Sequence, residues 1–459
     1  MKYKFNELLP EGTILKTVGT KNTPGGEIVI VDKLLDDRGG QSDIYQITWN
    51  EKTYALKWYN RDLEDAVGSS QYKAILADSA LNLDKEYYTF PLAIVSENEN
   101  PESGALFGYI MNLIPDGFYG MYDYLLADGD PRQIKFKTFH AMIYAGMNIV
   151  SAVHQVHHIG CCFGNLDPGN VVINPSSGDI RMIDCEIIAS ADVRYPLLGT
   201  RGYMAPEIVR SNFRQAPTIQ TDLFALAIIL FRLFYIDHPM EGRMWDRYPL
   251  ITDAVEDELY SIHPVYNMST KTDVNRPNDV WAPNVMARMA LLPDILQEGF
   301  ENTFVNGIDH IMERTPEVKW IQILSTARDQ LVYLDPKREQ DRVVRFNNPK
   351  TIPQGCLRMT IGSRHRELAL YPLQNLFKNV VTGSVKDYKE RIGRVMVAQS
   401  RLCMQNTTDQ VWNAYTPGAP GSGITQVPKD GWFFLVPGAQ VQFDAERQIV
   451  GVVDDPLAQ

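Results

Sequence analysis

The chain has 459 residues, 44% of them hydrophobic and 22% charged, and a net charge of −12. That length and composition predict an ordinary soluble globular protein of two or three domains, and the acidic balance excludes general nucleic-acid binding, which wants a basic face. Five cysteines, at 161, 162, 185, 356 and 403, form no metal-type C-x-x-C pairs and no disulfide-like spacing; reduced thiols and a cytoplasmic location are expected.

The opening, MKYKFNELLPEG, lacks the apolar core of a signal peptide. Residues 27–58 read as paired strands, EIVIVDKLL and DIYQITW around a Gly-Gly turn, then TYALKWY. A short helix is expected within 60–80, followed by strands at FPLAIV and LFGYIMNLI. FHAMIYAGMNIVSAVHQVHH sets Phe139, Met142, Ile143, Gly146, Ile149, Val150, Val153 and Val156 at helical spacing. Two short strands around an SSGD turn follow it. Residues 203–335 are expected to be mostly helical, with a polar interruption at about 240–285. The greasiest segment there, LFALAIILF, is nine residues long, where a membrane span needs about 20. It reads as a helix apolar on every side at the centre of a large domain, and no membrane association is expected. Residues 336–355 are charged, Pro-bearing and aperiodic, as a linker would be. Beyond them, short alternating runs (CLRMTI, GRVMVA, QVWNAY, WFFLV, AQVQF) predict an all-β domain.

The stretch CFGNLDPGNVVINPSSGDIRMIDCE carries the chemistry. Phosphoryl transfer is mostly positioning: a glycine turn over the phosphates, a lysine on them, amide and carboxylate oxygens on Mg²⁺, and a carboxylate near the nucleophile. GGQSDIYQITW supplies a strand–turn–strand from Gly39 and Gly40, and Lys57 follows on a strand. Asn170 and Asp184 bracket a short hairpin that can bring two oxygens onto one hard cation. GTRGYMAPEIV comes next, and Asp222 opens the buried helix, in reach of backbone amides of the 163–165 loop. The histidines show no such pattern: His154, His157 and His158 end a helix without ligand spacing, and are expected to be structural or exposed.

The ordered set ALKW, NLDPGN, MIDCE, GTRGYMAPE and TDLFALA resembles the protein kinase superfamily over residues 27–335. ALKWY, FGYxM, APEIVR and the TDLFALA helix ending in HPMEG resemble, more narrowly, bacterial Ser/Thr kinase-like proteins of tellurium-resistance-type operons. The resemblance implies ATP and Mg²⁺ as cofactors and protein Ser/Thr as substrate. It puts Lys57 on the α and β phosphates, Asn170 and Asp184 on the metal, and Gly39, Gly40 and Ile44 over the nucleotide. Met111 becomes the gatekeeper, and Asn112 to Ile114, with Leu113 at the centre, the adenine-binding hinge. Thr200 lies beside the catalytic base, and Glu207 forms a buried ion pair with Arg314. The operon context implies two partners, a metal-dependent protein phosphatase and a von Willebrand A-type protein.

The departures are as informative. G-x-G-x-x-G becomes Asp37-x-Gly39-x-x-Ser42, a stiffer turn. The glutamate expected opposite Lys57 is replaced by Gln71, with Glu64 a poorer candidate. Gly164 replaces the arginine of H-R-D. Asn165 stands where the catalytic aspartate should be. A general base is worth roughly 10²–10⁴ in rate, and an amide keeps hydrogen bonding while losing proton acceptance. Natural or introduced, that change predicts intact nucleotide binding with weak or absent turnover. Asp167, two residues on, is a lesser candidate for a substitute base, since its side chain is expected to point away from that of residue 165.

The C-terminal DGWFFLVPGAQVQFDAERQIVGVV resembles the last strands of FHA-like β-sandwiches, with RLCMQNTTDQVWNAY as an earlier strand pair. Gly362-Ser363-Arg364-His365 has the residue types of a phosphothreonine site in the wrong arrangement, so docking of a partner is favoured over phosphopeptide reading. The fold class expected is α+β: a two-lobed protein-kinase-like fold followed by a small all-β, sandwich-like domain. The strand lobe spans 1–115 with an N-terminal extension, the helical lobe 116–335 and the β domain 356–459. Two other functional readings stay open: a pseudokinase scaffold or nucleotide sensor, and a small-molecule kinase, since GNLDPGN echoes antibiotic and choline kinases.

Overall fold

The computed structural model describes residues 7–455 except 21–22, 37–41, 60–66, 68, 70–71, 74, 76–82, 84–85, 186–188, 191–198, 334–342, 346–356, 363–365, 385–386, 421–422, 445 and 447. Gly39, Gly40 and Asp37 of the expected phosphate cover lie outside the described residues, as do Glu64, Gln71, Arg364 and His365.

Six strands form the first lobe: β1 (Ile14–Thr17), β2 (Ile28–Asp36), β3 (Ser42–Trp49), β4 (Lys52–Tyr59), β5 (Ala93–Ser96) and β6 (Phe107–Met111). They close into a barrel in the order β1-β2-β3-β4-β6-β5. Alternation drives it: on β2, Val29 and Val31 face the core while Ile28 and Ile30 face out. Strand β1 was not expected, because ILKT is too short to show a period. It pairs with β2 on one side and β5 on the other, and so leaves the sheet no open edge.

The long helix Phe139–His158 starts where Thr138 Oγ1 accepts the Ala141 amide at 3.0 Å. Its buried face includes Met142, Ile149, Val153, Val156 and His157. The following hairpin pairs Val171–Ile173 with Ile180–Met182 and turns at Gly178. Gly178 has φ of +82°, and a Cβ there would lie 2.2 Å from the Ala141 carbonyl oxygen, so only glycine fits. The central helix, Ile219–Tyr235, opens with a reciprocal Thr218–Thr221 capping box. From Thr221 to Tyr235 every residue but Arg232 is buried, so the helix is apolar on all sides. Both helices, with the last helix of this lobe (Glu317–Asp329), build the largest core.

Within the stretch expected to be an aperiodic linker, Val343–Arg345 pairs antiparallel with Leu331–Tyr333. Three residues cannot display alternation, and their partner lies upstream of the linker. The C-terminal domain is a sandwich of antiparallel sheets. The six-stranded sheet runs Arg366–Leu370, Leu357–Ile361, Ile449–Asp454, Gln440–Asp444, Trp412–Tyr415, Ile424–Val427. The four-stranded one runs Asn375–Phe377, Arg391–Ala398, Arg401–Asn406, Trp432–Phe434. Met359 and Val441 of the first share a core with Val395 and Met404 of the second. The strands of RLCMQNTTDQVWNAY do not pair with each other as expected; they lie in opposite sheets. Buried Asn406 holds that crossover, donating to the Gln410 and Val427 carbonyls at 2.6 and 2.9 Å. The architecture is thus α+β, a two-lobed unit followed by all-β sheets.

Candidate functional site

Lys57 lies on β4, opposite Ile44 on β3 and Tyr109 on β6. Apolar neighbours bury its stem, and its Nζ reaches the Asp184 Oδ1 at 2.7 Å. Asp184 follows the hairpin with φ of +54°, a left-handed conformation that Asp tolerates better than most residues. Its side chain is 45% exposed, against 9% for Lys57, so the carboxylate is open to solvent while the lysine is not. Asn170 is joined to the same hairpin, its carbonyl accepting the Ile183 amide at 2.9 Å. Its side-chain Nδ2 donates to the Asn165 carbonyl at 2.7 Å. Met111 ends β6 opposite Ala55, and Asn112 to Ile114 follow it into the second lobe.

Asn165 Oδ1 accepts the Thr200 amide at 3.1 Å. The Thr200 hydroxyl donates to Asp167 Oδ2, and Asp167 Oδ1 accepts the Gly169 amide at 2.6 Å. Both Asp167 oxygens are thus engaged in ordering the loop. Gly164 sits at φ +71°, a conformation that disfavours the arginine found there in the H-R-D pattern. From Asn165 and Thr200 a cavity of 470 Å³ opens, walled by Leu166, Tyr203, Met204 and Phe213. Its loop is gripped from behind. The Tyr203 hydroxyl accepts from Arg232, and His238 Nε2 donates to the Gly202 carbonyl at 2.8 Å. Burial, helped by the Arg232 charge, pushes His238 down to about 3, so the ring is a neutral donor.

Beneath the loop, Asp222 accepts the Phe163 and Gly164 amides at 2.6 and 3.1 Å. It also receives His157 Nε2 at 3.0 Å, and His157 Nδ1 bonds Glu317. Sequence reading missed this arrangement, although one signal was present: His157 lies one helical turn after Val153, on the buried face. Burial opposes the His157 charge, but the two carboxylates outweigh it and push the ring up to about 9. Arg314 meets Glu207 through two parallel bonds of 2.7 Å, and donates to the Gln220 and Gly307 carbonyls at 2.8 and 2.9 Å. Arg314 is fully buried. Cys161, Cys162, Cys185 and Cys403 are buried and outside any disulfide, and burial pushes Cys162 up to about 12, an inert thiol.

A lysine–carboxylate contact, a neighbouring amide and a loop ordered beside a cavity are residue types that phosphoryl transfer uses. Residues 122–317 match the protein kinase domain family. Over those residues the chain is similar to protein kinases. Relatives include the serine/threonine-protein kinase PknG of Mycolicibacterium smegmatis, 29% identical over 28% of this chain and 16% of that protein. A cAMP-dependent protein kinase, catalytic subunit-like, of Caenorhabditis elegans is 27% identical over 36% of this chain and 38% of that one. The dual specificity protein kinase Ttk of Danio rerio is 24% identical over 51% of this chain and 22% of that one. The chain therefore spans well under half the length of each of these relatives. Among solved structures, a Toxoplasma gondii specific rhoptry antigen kinase domain aligns at a TM-score of 0.44 and 12% identity, covering 70% of this chain and 86% of that one.

The kinase domain implies ATP and a divalent cation. No cluster of three or more His, Cys, Asp or Glu able to hold a metal occurs among the described residues. A cation shared with nucleotide phosphates needs fewer protein ligands, and the Asn170 amide oxygen with the Asp184 carboxylate is hard oxygen chemistry of that kind. The residues fit the group.

Proposed function

We propose that this protein binds ATP with Mg²⁺ and derives from a protein Ser/Thr kinase whose turnover Asn165 makes weak or absent. One observation supports the reading: Lys57 meets Asp184, Asn170 is bonded to the backbone just before Asp184, and the residue beside the cavity at Thr200 is an amide. Lys57 would hold the phosphates, and Asn170 and Asp184 the cation, which when bound offsets the phosphate charge. Asn165 can orient an acceptor hydroxyl but cannot take its proton. The cavity walled by Leu166, Tyr203, Met204 and Phe213 supports a peptide over a small-molecule acceptor, since it accommodates an apolar side chain beside the hydroxyl.

Kinship with the tellurium-resistance-type kinases, with a metal-dependent phosphatase and a von Willebrand A-type protein as partners, belongs to the same proposal and rests on the quoted motifs. The cytoplasmic location rests on the cysteines outside any disulfide; among the described residues no helix is long and apolar enough to cross a membrane. An FHA-like origin of the C-terminal domain is supported by its two sheets around one core. A nucleotide-binding pseudokinase is the second reading, and Asn165 is the observation that favours it.

The test is a thermal-shift titration. ATP with Mg²⁺ should raise the melting temperature, as any ligand selective for the native state does. Asp184→Ala should abolish the magnesium-dependent part. No shift at millimolar ATP would leave a scaffold that binds no nucleotide.

A further inference from the structure

The β domain does not hang from a tether. Arg328, on the last helix of the kinase domain, is fully buried. Its Nη1 donates to the Tyr388 carbonyl at 2.9 Å and its Nη2 to Asn379 Oδ1 at 3.3 Å. Its guanidinium lies 4.0 Å from the centre of the Phe377 ring, and its Nε bonds Asp329 at 2.9 Å. Pulling the domains apart would break two hydrogen bonds from a charged donor and the guanidinium–ring contact, while Asp329, on the same helix, would stay with Arg328. The corner of the β domain at Tyr388 and Lys389 is therefore held in one place on the kinase domain.

That corner touches more than the last helix. The buried Tyr388 hydroxyl lies 2.6 Å from Ser151 Oγ on the long helix. Lys389 Nζ donates to the Tyr87 hydroxyl at 2.7 Å and sits 5.0 Å from the centre of its ring. Tyr87 precedes β5, and its carbonyl accepts the Met182 amide at 2.6 Å. The Met182 carbonyl in turn accepts the Thr89 amide at 3.0 Å and the Thr89 hydroxyl at 3.2 Å. Both backbone groups of Met182 thus bond residues 87–89, and its carbonyl also accepts the Cys185 thiol at 3.3 Å. Met182 ends the hairpin strand, and Asp184, two residues on, carries the carboxylate that meets Lys57.

We propose that the C-terminal β domain is a positioning element of the nucleotide–metal site, with Lys389 and Tyr388 holding residues 87–89 against the strand that delivers Asp184. Neither residue touches nucleotide; each acts through Tyr87 and Met182. Lys389 reaches Asp184 through two hydrogen bonds joined by the body of Tyr87, and then along the chain from Met182. The nucleotide part of the inference rests on the ATP-binding reading; the ordering of Met182 by the β domain does not.

The experiment uses the full chain and two readouts. Amide hydrogen exchange at residues 180–185 is measured without nucleotide, and ATP affinity is measured with and without Mg²⁺. Lys389→Met should speed exchange at Met182 by roughly tenfold, about the loss of one charge-assisted hydrogen bond. It should weaken the magnesium-dependent gain in ATP affinity by roughly fivefold, and Lys389→Arg should restore both. Tyr388→Phe, which removes the hydroxyl's contacts with Ser151 and Tyr87 but keeps Lys389, should give a smaller change of the same sign. If Lys389→Met leaves Met182 exchange unchanged, the positioning role is overturned, whatever ATP does. If exchange rises but magnesium-dependent affinity does not fall, the corner orders the strand without setting Asp184, and the proposal fails at that step. If the wild type binds no ATP, the ATP-binding reading falls, and the exchange result alone decides whether the β domain positions this strand.

Discussion

Asn165 is held as a well-ordered residue, with Thr200 on its side-chain oxygen and Asn170 on its carbonyl. On the proposed reading, its amide can hold an acceptor hydroxyl but cannot take the proton. Asn165→Asp should therefore raise phosphoryl transfer to a protein Ser/Thr, or to the protein itself, by roughly a hundredfold or more. ATP affinity should barely change, because the residue faces the acceptor cavity. Radiolabel transfer by both forms, beside Asp184→Ala, measures it; equal inactivity with ATP still bound would move the defect elsewhere in the cleft. Asp167 is a weak substitute base, since the Gly169 amide and the Thr200 hydroxyl occupy its two oxygens. Glu207 and Arg314 form the other pair with a measurable residue-scale consequence. Arg314→Ala leaves the Glu207 carboxylate and two backbone carbonyls without their donor, at a cost of about 3–5 kcal/mol. Urea unfolding should show a loss of that size; a change under 1 kcal/mol would mean that the pair contributes little.

Among elements, the clasp of Asp222, His157 and Glu317 ties the central helix, the long helix and the last helix to the 163–164 backbone. His157 is raised from 6.5 to about 9. Its contribution is therefore complete below pH 6.5 and is lost as pH rises through about 9, on the order of 3 kcal/mol in all. Burial raises the Glu317 carboxyl, but the His157 hydrogen bond and charge outweigh it and hold it below 4.5. Glu317 thus contributes fully above that value and less as pH falls below it. The clasp is strongest between about 4.5 and 6.5, the two unfolded-state values. Urea midpoints should fall between pH 6.5 and 9 in the wild type, and much less steeply in His157→Gln. Parallel slopes in the two proteins would remove His157 from the explanation. The three residues are far apart in the chain, so no spacing rule could have joined them.

At the scale of the molecule, the buried Arg328 joins kinase and β domains into one unit. The full chain should unfold in a single calorimetric transition. Arg328→Ala should lower stability by about 3–5 kcal/mol and split the transition in two, because the β sandwich keeps its own core. One unchanged transition in the variant would show that Arg328 is not what couples the domains. This interface also bears on the FHA-like reading: Phe377, Asn379, Tyr388 and Lys389 face the kinase-like unit, which favours docking in cis over capture of a free phosphopeptide.

Local order decided much in advance. The long helix runs over Phe139–His158 because its apolar period and Thr138 cap both lie within one stretch. The central helix is buried all round because nine consecutive apolar residues leave no polar face. The set ALKW, NLDPGN, MIDCE and GTRGYMAPE pointed to a kinase fold because phosphate and metal chemistry restricts residue type at fixed places along the chain. Tertiary structure decided what sequence distance hides. β1 has too few residues to show a period, and its meaning lies in closing the barrel between β2 and β5. Lys57 meets Asp184, a partner no pattern around Lys57 could name. His157 becomes a charged clasp only between two carboxylates brought from other helices. Lys389 gains a role only where folding sets it on Tyr87. Periodicity and motif spacing are short-range properties of a chain, whereas burial, charge pairing and domain contact depend on residues that meet only once it has folded.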